Sequence, residues 1–244
     1  MTYFSSRAGV LCAEGVPLPV IAEAVGTPVH VYSAAALRDA AHRFKSALAV
    51  LPRVRVAFAV KANPNGAVLH LLAGCGFGAD IVSGGEMGRA LDAGIAASDI
   101  VFSGVGKTDR ELADALAAGI GQFNLELEEE GQVLASLARA RGRRATAVLR
   151  VNPDVDGRTH AKISTGRRGN KFGVAIADVP AMYDRLSRLE GLDLVGVALH
   201  IGSQLRDLAP LEAAYKRVGE LVAELRGAGH RISRVDLGGG LGVP

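Results

Sequence analysis

The segment FAVKANPN (58–65) carries Lys61 at the end of a β-rich run. A lysine amine forms a Schiff base with an aldehyde only when deprotonated, a condition that burial at the mouth of a barrel would supply. A solvated lysine at a strand end accounts for the same residue without chemistry. HIGSQ (200–204) places His200, whose imidazole can stack on a flat ring, just before Ser203, whose hydroxyl can hydrogen-bond a phosphate. A buried histidine satisfied by backbone is the plain alternative. DLGGGLG (236–242) sets Gly238, Gly239 and Gly240 in succession, and successive glycine N–H groups can close around an anion. A flexible turn explains them equally. ADIVSGGE (79–86) offers Asp80 and Glu86, and Arg150 lies near the end of another apolar run. Structural ion pairs could account for all three.

Such groups act together only if the chain folds to bring them together, and its pattern is repetitive. Seven short runs rich in Val or Ile read as buried parallel strands: 54–60, 79–83, 99–104, 122–127, 146–152, 194–201 and 234–240. Helical stretches lie between them. Leu37, Ala40, Phe44, Leu48 and Leu51 share a helical face behind Ser33 as N-cap, and Thr108 with Glu111 spells a capping box. Leu208, Leu211, Tyr215, Val218, Val222 and Leu225 mark a third helix face near 208–229. Strands alternating with helices imply a parallel sheet, either open or closed into a barrel. Lys61, Ser103, Asn152, His200 and the triple glycine all fall at carboxyl ends of strands, which in a barrel form one face. The expected fold is therefore an α/β (β/α)8 barrel of the TIM type, with seven of its eight strands accounted for. TPVHVYS (27–33) reads as a further strand lying outside the barrel, and 152–174 as a long loop of a kind usually kept for function.

Composition narrows the function. Of 244 residues, 49% are hydrophobic and 22% charged, which argues against disorder. No apolar run approaches the roughly 18–20 residues of a membrane span, and MTYFSSRAGV has no secretory pattern. The net charge of +3 is scattered, aromatics are 5% and Trp is absent, so nucleic acid is not the expected partner. Cys12 and Cys75 make no disulfide framework. The expectation is a cytoplasmic protein that handles a small molecule.

Two motifs mislead. SGVGKT (103–108) resembles the end of a P-loop, but the position needing the first glycine is Val101, so it reads as a turn and helix cap. GCGFGA (74–79) spells a dinucleotide fingerprint in reversed context, after a helix and before a strand, and reads as a helix C-cap turn. The histidines show no metal-ligand spacing, and ELEEEG (126–131) reads as the solvated start of a helix.

A Schiff-base lysine, a ring-facing histidine and a phosphate nest on one barrel face would together hold pyridoxal phosphate. In this order, FAVKAN, ADIVSGGE, RVNPD, HAKISTGRRGNKFGV, HIGSQ and DLGGGLG resemble the N-terminal part of the diaminopimelate decarboxylase family, among the alanine-racemase-like, fold-type III pyridoxal-phosphate enzymes. The resemblance covers roughly residues 10–244. It implies that Lys61 carries the cofactor, His200 stacks on its ring, and Ser203, Gly239 and Gly240 hold its phosphate. It places Asp80 and Glu86 near the lysine, Arg150 near the ring, and His160, Thr165 and Gly166 at the pocket mouth. It further implies conversion of meso-2,6-diaminopimelate to L-lysine and carbon dioxide, and a homodimer. Residues 1–33 would accompany a second, β-rich domain, and 34–244 would form the barrel. The eighth strand and the C-terminal β-domain of that family have no counterpart in the sequence, so the isolated chain is expected to be a fragment, poorly stable and nearly inactive. Relatives acting on ornithine, arginine or carboxynorspermidine, and single-barrel pyridoxal-phosphate carriers, are the rival readings.

Overall fold

The structure, a computed structural model, describes residues 3–156 and 172–242. A small antiparallel sheet comes first: β1 (Phe4–Arg7), β2 (Val10–Ala13) and β3 (Val16–Pro17), followed by α1 (Leu18–Val25) and α2 (Ala34–Ala47). Then strand and helix alternate: β4 (Ala57–Ala59), α3 (Gly66–Gly74), β5 (Gly78–Ile81), α4 (Gly84–Asp92), β6 (Ile100–Phe102), α5 (Asp109–Ala118), β7 (Gln122–Leu125) and α6 (Glu128–Ala140). The series continues with β8 (Ala145–Asn152), β9 (Val174–Ala175), α7 (Val179–Ser187), β10 (Leu192–Leu199), α8 (Ala209–Gly227) and β11 (Arg234–Asp236).

The seven anticipated strands all form, in the parallel order β11-β10-β8-β7-β6-β5-β4, with the two-residue β9 also paired to β8. The sheet curls into a half-barrel: Asn124 on β7 reaches Asp236 on β11, although two strands lie between them. Among the described residues β4 and β11 do not pair, so both remain edges. Phe102, Phe123, Leu125, Leu134, Leu149, Leu186 and Tyr183 are buried between sheet and helices. Fully burying one such side chain stabilises by about 1.5–3 kcal/mol.

Local signals hold where they are strongest. Ser33 caps α2, the Thr108–Glu111 capping box opens α5 with both reciprocal bonds made, and α3 ends at Gly74 with Gly76 at φ +75°. Three expectations are corrected. Residues 27–33 form no strand, because among the described residues no second strand lies alongside to complete a ladder; Val29 and Tyr32 stand exposed. The apolar face proposed for α2 holds only at Leu37: that residue and Ala41 pack on α3 against Val68 and Leu72, whereas Phe44 is exposed and Leu51, also exposed, lies beyond the helix end. Leu208 is exposed at the start of α8, whereas Val218, Val222 and Leu225 are buried. The N-terminal hairpin, unforeseen, is pinned to α2 by the Glu14 carboxylate, which accepts hydrogen bonds from Ser33 Oγ at 2.7 Å and Ala35 N–H at 2.9 Å.

Candidate active site

Lys61 sits in the 3-10 turn Val60–Ala62 directly after β4, anchored by the fully buried Val60. Its own side chain is exposed, not buried as expected, because β4 is an edge strand with no neighbour on one side. Asp80 is on β5, in register with Ala59 of β4. Its Oδ1 is buried and has no hydrogen-bond partner among the described residues. Burial raises its pKa to about 6 and Asp236 adds to the rise, while Ser103, Lys61 and Arg150 oppose it.

His200 immediately follows β10. Burial, then the positive charges of Arg150 and Lys61, lower its pKa to about 4, so the imidazole is neutral at pH 7. Its Nδ1 accepts the N–H of Gly239 at 3.4 Å. Lys61, Asp80, Arg150 and His200 are therefore close enough to feel one another's charge, and Gly239 adjoins the imidazole. Ser203 lies three residues beyond His200, half-buried. Glu86 is engaged within its own turn: its carboxylate accepts the Val82 N–H at 2.7 Å, while its own N–H donates to Ser83 Oγ at the start of α4. His160, Thr165 and Gly166, with most of the 152–174 loop, lie outside the described residues.

The loops after β10 and β11 are laced together. Leu205 N–H donates to Gly240 O and Gly242 N–H to Leu205 O, each at 2.8 Å. This approach demands glycine: a Cβ at Gly240, where φ is +98°, would lie 1.9 Å from Gly202 O. Gly238 N–H is taken by Asp236 Oδ1 at 2.9 Å, whereas a Cβ on Gly239 would meet only open space.

The sequence reading missed a polar network. Asn124 Nδ2 donates to Ser103 Oγ and to Asp236 Oδ2, both at 3.0 Å, and Gln122 Nε2 donates to Asn124 Oδ1 at 2.9 Å. It also missed that Glu126 and Glu130 turn inward. Glu126 is 2% exposed and pairs with Arg150 at 2.7 Å; Glu130 pairs with the wholly buried Lys107. The run ELEEEG is thus solvated only in part, and Lys107 is a structural cation, not a phosphate ligand. Alternation within β7 was the one available signal, since Gln122 and Asn124 are polar at a two-residue spacing.

An amine, a neutral imidazole, a guanidinium and a glycine-lined opening are a donor set that fits a group bearing an aldehyde, a flat ring and a phosphate. Asp80 Oδ1, without a partner among the described residues, leaves a buried polar atom in the same cluster. Fold and cluster together define a barrel-type α/β protein with its polar groups at the carboxyl ends of the strands.

Comparison with known proteins then gives the family. The family described as pyridoxal-dependent decarboxylase, pyridoxal binding domain, matches residues 35–244. A diaminopimelate decarboxylase of Zymomonas mobilis is 51% identical, over 100% of this chain and 58% of its own length. Diaminopimelate decarboxylase from M. jannaschii, solved with L-lysine, superposes with a TM-score of 0.92 at 35% identity, covering 99% of this chain and 57% of that one. The Helicobacter pylori enzyme, also with L-lysine, gives 0.89 at 37% identity over 93% and 57%. The chain belongs to the pyridoxal-dependent decarboxylases, whose pyridoxal-binding domain it carries. It spans about 58% of the length of the curated relatives it matches.

Proposed function

We propose that this chain builds the pyridoxal phosphate site of an enzyme that decarboxylates meso-2,6-diaminopimelate to L-lysine. The observation that carries the substrate is the likeness, along almost the whole chain, to diaminopimelate decarboxylases that hold L-lysine, the product such a reaction would leave. Lys61 would bind the cofactor's carbonyl carbon as a Schiff base and yield that place to the substrate's amine. His200, uncharged, would lie flat against the ring. Ser203, Gly239 and Gly240 would hold the phosphate, while Arg150 and Asp80 would face the ring's polar edge. Bound pyridoxal phosphate supplies an electron sink for the pair left when the α-carboxylate departs as carbon dioxide. The carbon that loses its carboxylate would take up a proton in its place, and Lys61 would be the chain's own amine that holds the cofactor between turnovers.

A homodimer and a cytoplasmic location belong to the same proposal and rest on the resemblance. So does a division at residue 33, which is supported by the separate β1–β3 sheet and by the family match beginning at residue 35. The test is carbon dioxide release from meso-diaminopimelate, ornithine, arginine and carboxynorspermidine in parallel, by the chain joined to the C-terminal part of its Zymomonas mobilis relative and supplied with pyridoxal phosphate. Preferential turnover of diaminopimelate supports the proposal; preference for another of the four overturns the substrate assignment.

A further inference from the structure

Four charged side chains from separate parts of the fold form a buried series that ends at the proposed site. The Lys107 side chain, 0% exposed, donates to Gly104 O at 2.6 Å, Asn124 O at 2.8 Å and Glu130 Oε1 at 2.5 Å. The other oxygen of Glu130 accepts the backbone N–H of Glu126 at 2.7 Å. The Glu126 carboxylate is itself divided. Its Oε1 takes Arg150 Nη1 at 2.7 Å, and its Oε2 takes the Gly173 N–H at 3.0 Å. The Arg150 guanidinium stands 5.2 Å from the centroid of the Phe172 ring, and its charge reaches both Asp80 and His200.

Buried ion pairs are a poor route to stability, because apolar replacements of similar volume often do as well or better. What they supply is one geometry. Glu130 fixes the Glu126 backbone, so the carboxylate points at β8. Gly173 occupies the second oxygen, leaving the first for Arg150. We propose that Glu126, oriented by the Lys107–Glu130 pair, is a positioning residue that fixes Arg150 at the cofactor site. This rests on the assignment of pyridoxal phosphate to Lys61. Neither the spacing of SGVGKT nor the charge run ELEEEG hinted at it, because the two ion pairs join residues 23 and 24 apart in sequence.

The test is a double-mutant cycle read by pyridoxal phosphate affinity, joined to a measurement without cofactor. Glu126→Gln should weaken binding about tenfold, the usual scale for one lost charge-assisted hydrogen bond. In an Arg150→Gln background the same change should cost less than twofold, because its effect passes through Arg150. In the cofactor-free chain the Arg150 guanidinium N–H signals should be slow to exchange with water in the wild type and fast in Glu126→Gln. Equal losses in both backgrounds, or guanidinium signals that Glu126→Gln leaves unchanged, would overturn the proposal. If the wild type fails to bind at Lys61, the site assignment falls, and the guanidinium signals alone still decide the positioning. Should Glu126→Gln not fold, the volume-conserving pair Lys107→Met with Glu130→Gln serves instead, with the same loosening of Arg150 expected.

Discussion

Asn124 donates its amide N–H to the Asp236 carboxylate across 3.0 Å, joining the middle of the curled sheet to its edge strand. Asp236 in turn accepts the N–H of Gly238, so one carboxylate links sheet curvature to the glycine loop. The spacing between the β11 loop and the β4 turn that bears Lys61 depends on this curl.

Asn124→Ala should therefore destabilise the chain by about 2 kcal/mol, the scale for removing a buried partner of a charged group. Asn124 is 4% exposed, so water cannot readily replace it. Urea denaturation checks this; a loss under about 0.5 kcal/mol would mean the tether carries no load.

The two glycines assigned to the phosphate should separate. Gly240→Ala forces a Cβ to within 1.9 Å of a carbonyl oxygen at positive φ and should cost more than about 2 kcal/mol. Gly239→Ala meets open space and should leave stability within about 0.5 kcal/mol while weakening pyridoxal phosphate binding. Denaturation and cofactor titration of both variants would expose a reversed order.

Stability should respond to pH through two opposed groups. The folded pKa of Asp80 rises from 3.8 to about 6, so the folded chain holds more protons than the unfolded one in that window, and stability falls as pH rises through it. The folded pKa of His200 falls from 6.5 to about 4, so its contribution is lost as pH falls through that range. Between about pH 4 and 6 the two contributions oppose each other. Asp80→Asn should unmask a loss of about 2–3 kcal/mol on acidification, and His200→Asn a loss of similar size in the other direction. Denaturation at several pH values decides it; parallel curves for wild type and both variants would refute the pairing.

The seven barrel strands were legible because fully buried parallel strands read as unbroken apolar runs, as VGVAL within β10 does. The N-terminal hairpin was not, since strands of two to four residues such as FSSR carry too little periodicity. Lys61 and His200 could be proposed from residue type and their place at strand ends, whereas Asp80 and Arg150 gained their roles only through the family resemblance. The inward turn of Glu126 and Glu130 could not, because it is decided by partners distant in sequence. The face of α2 was read correctly at Leu37 but not beyond it: Phe44 and Leu51 repeat at helical spacing, yet α3 meets the helix at Leu37 and Ala41.

Pyridoxal phosphate added to the purified chain, reduced with borohydride and mapped by mass spectrometry, tests the central claim most directly. One label per chain, on Lys61 and lost in Lys61→Ala, is the predicted result. Labelling spread over surface lysines, with Lys61 no more reactive than the rest, would contradict it.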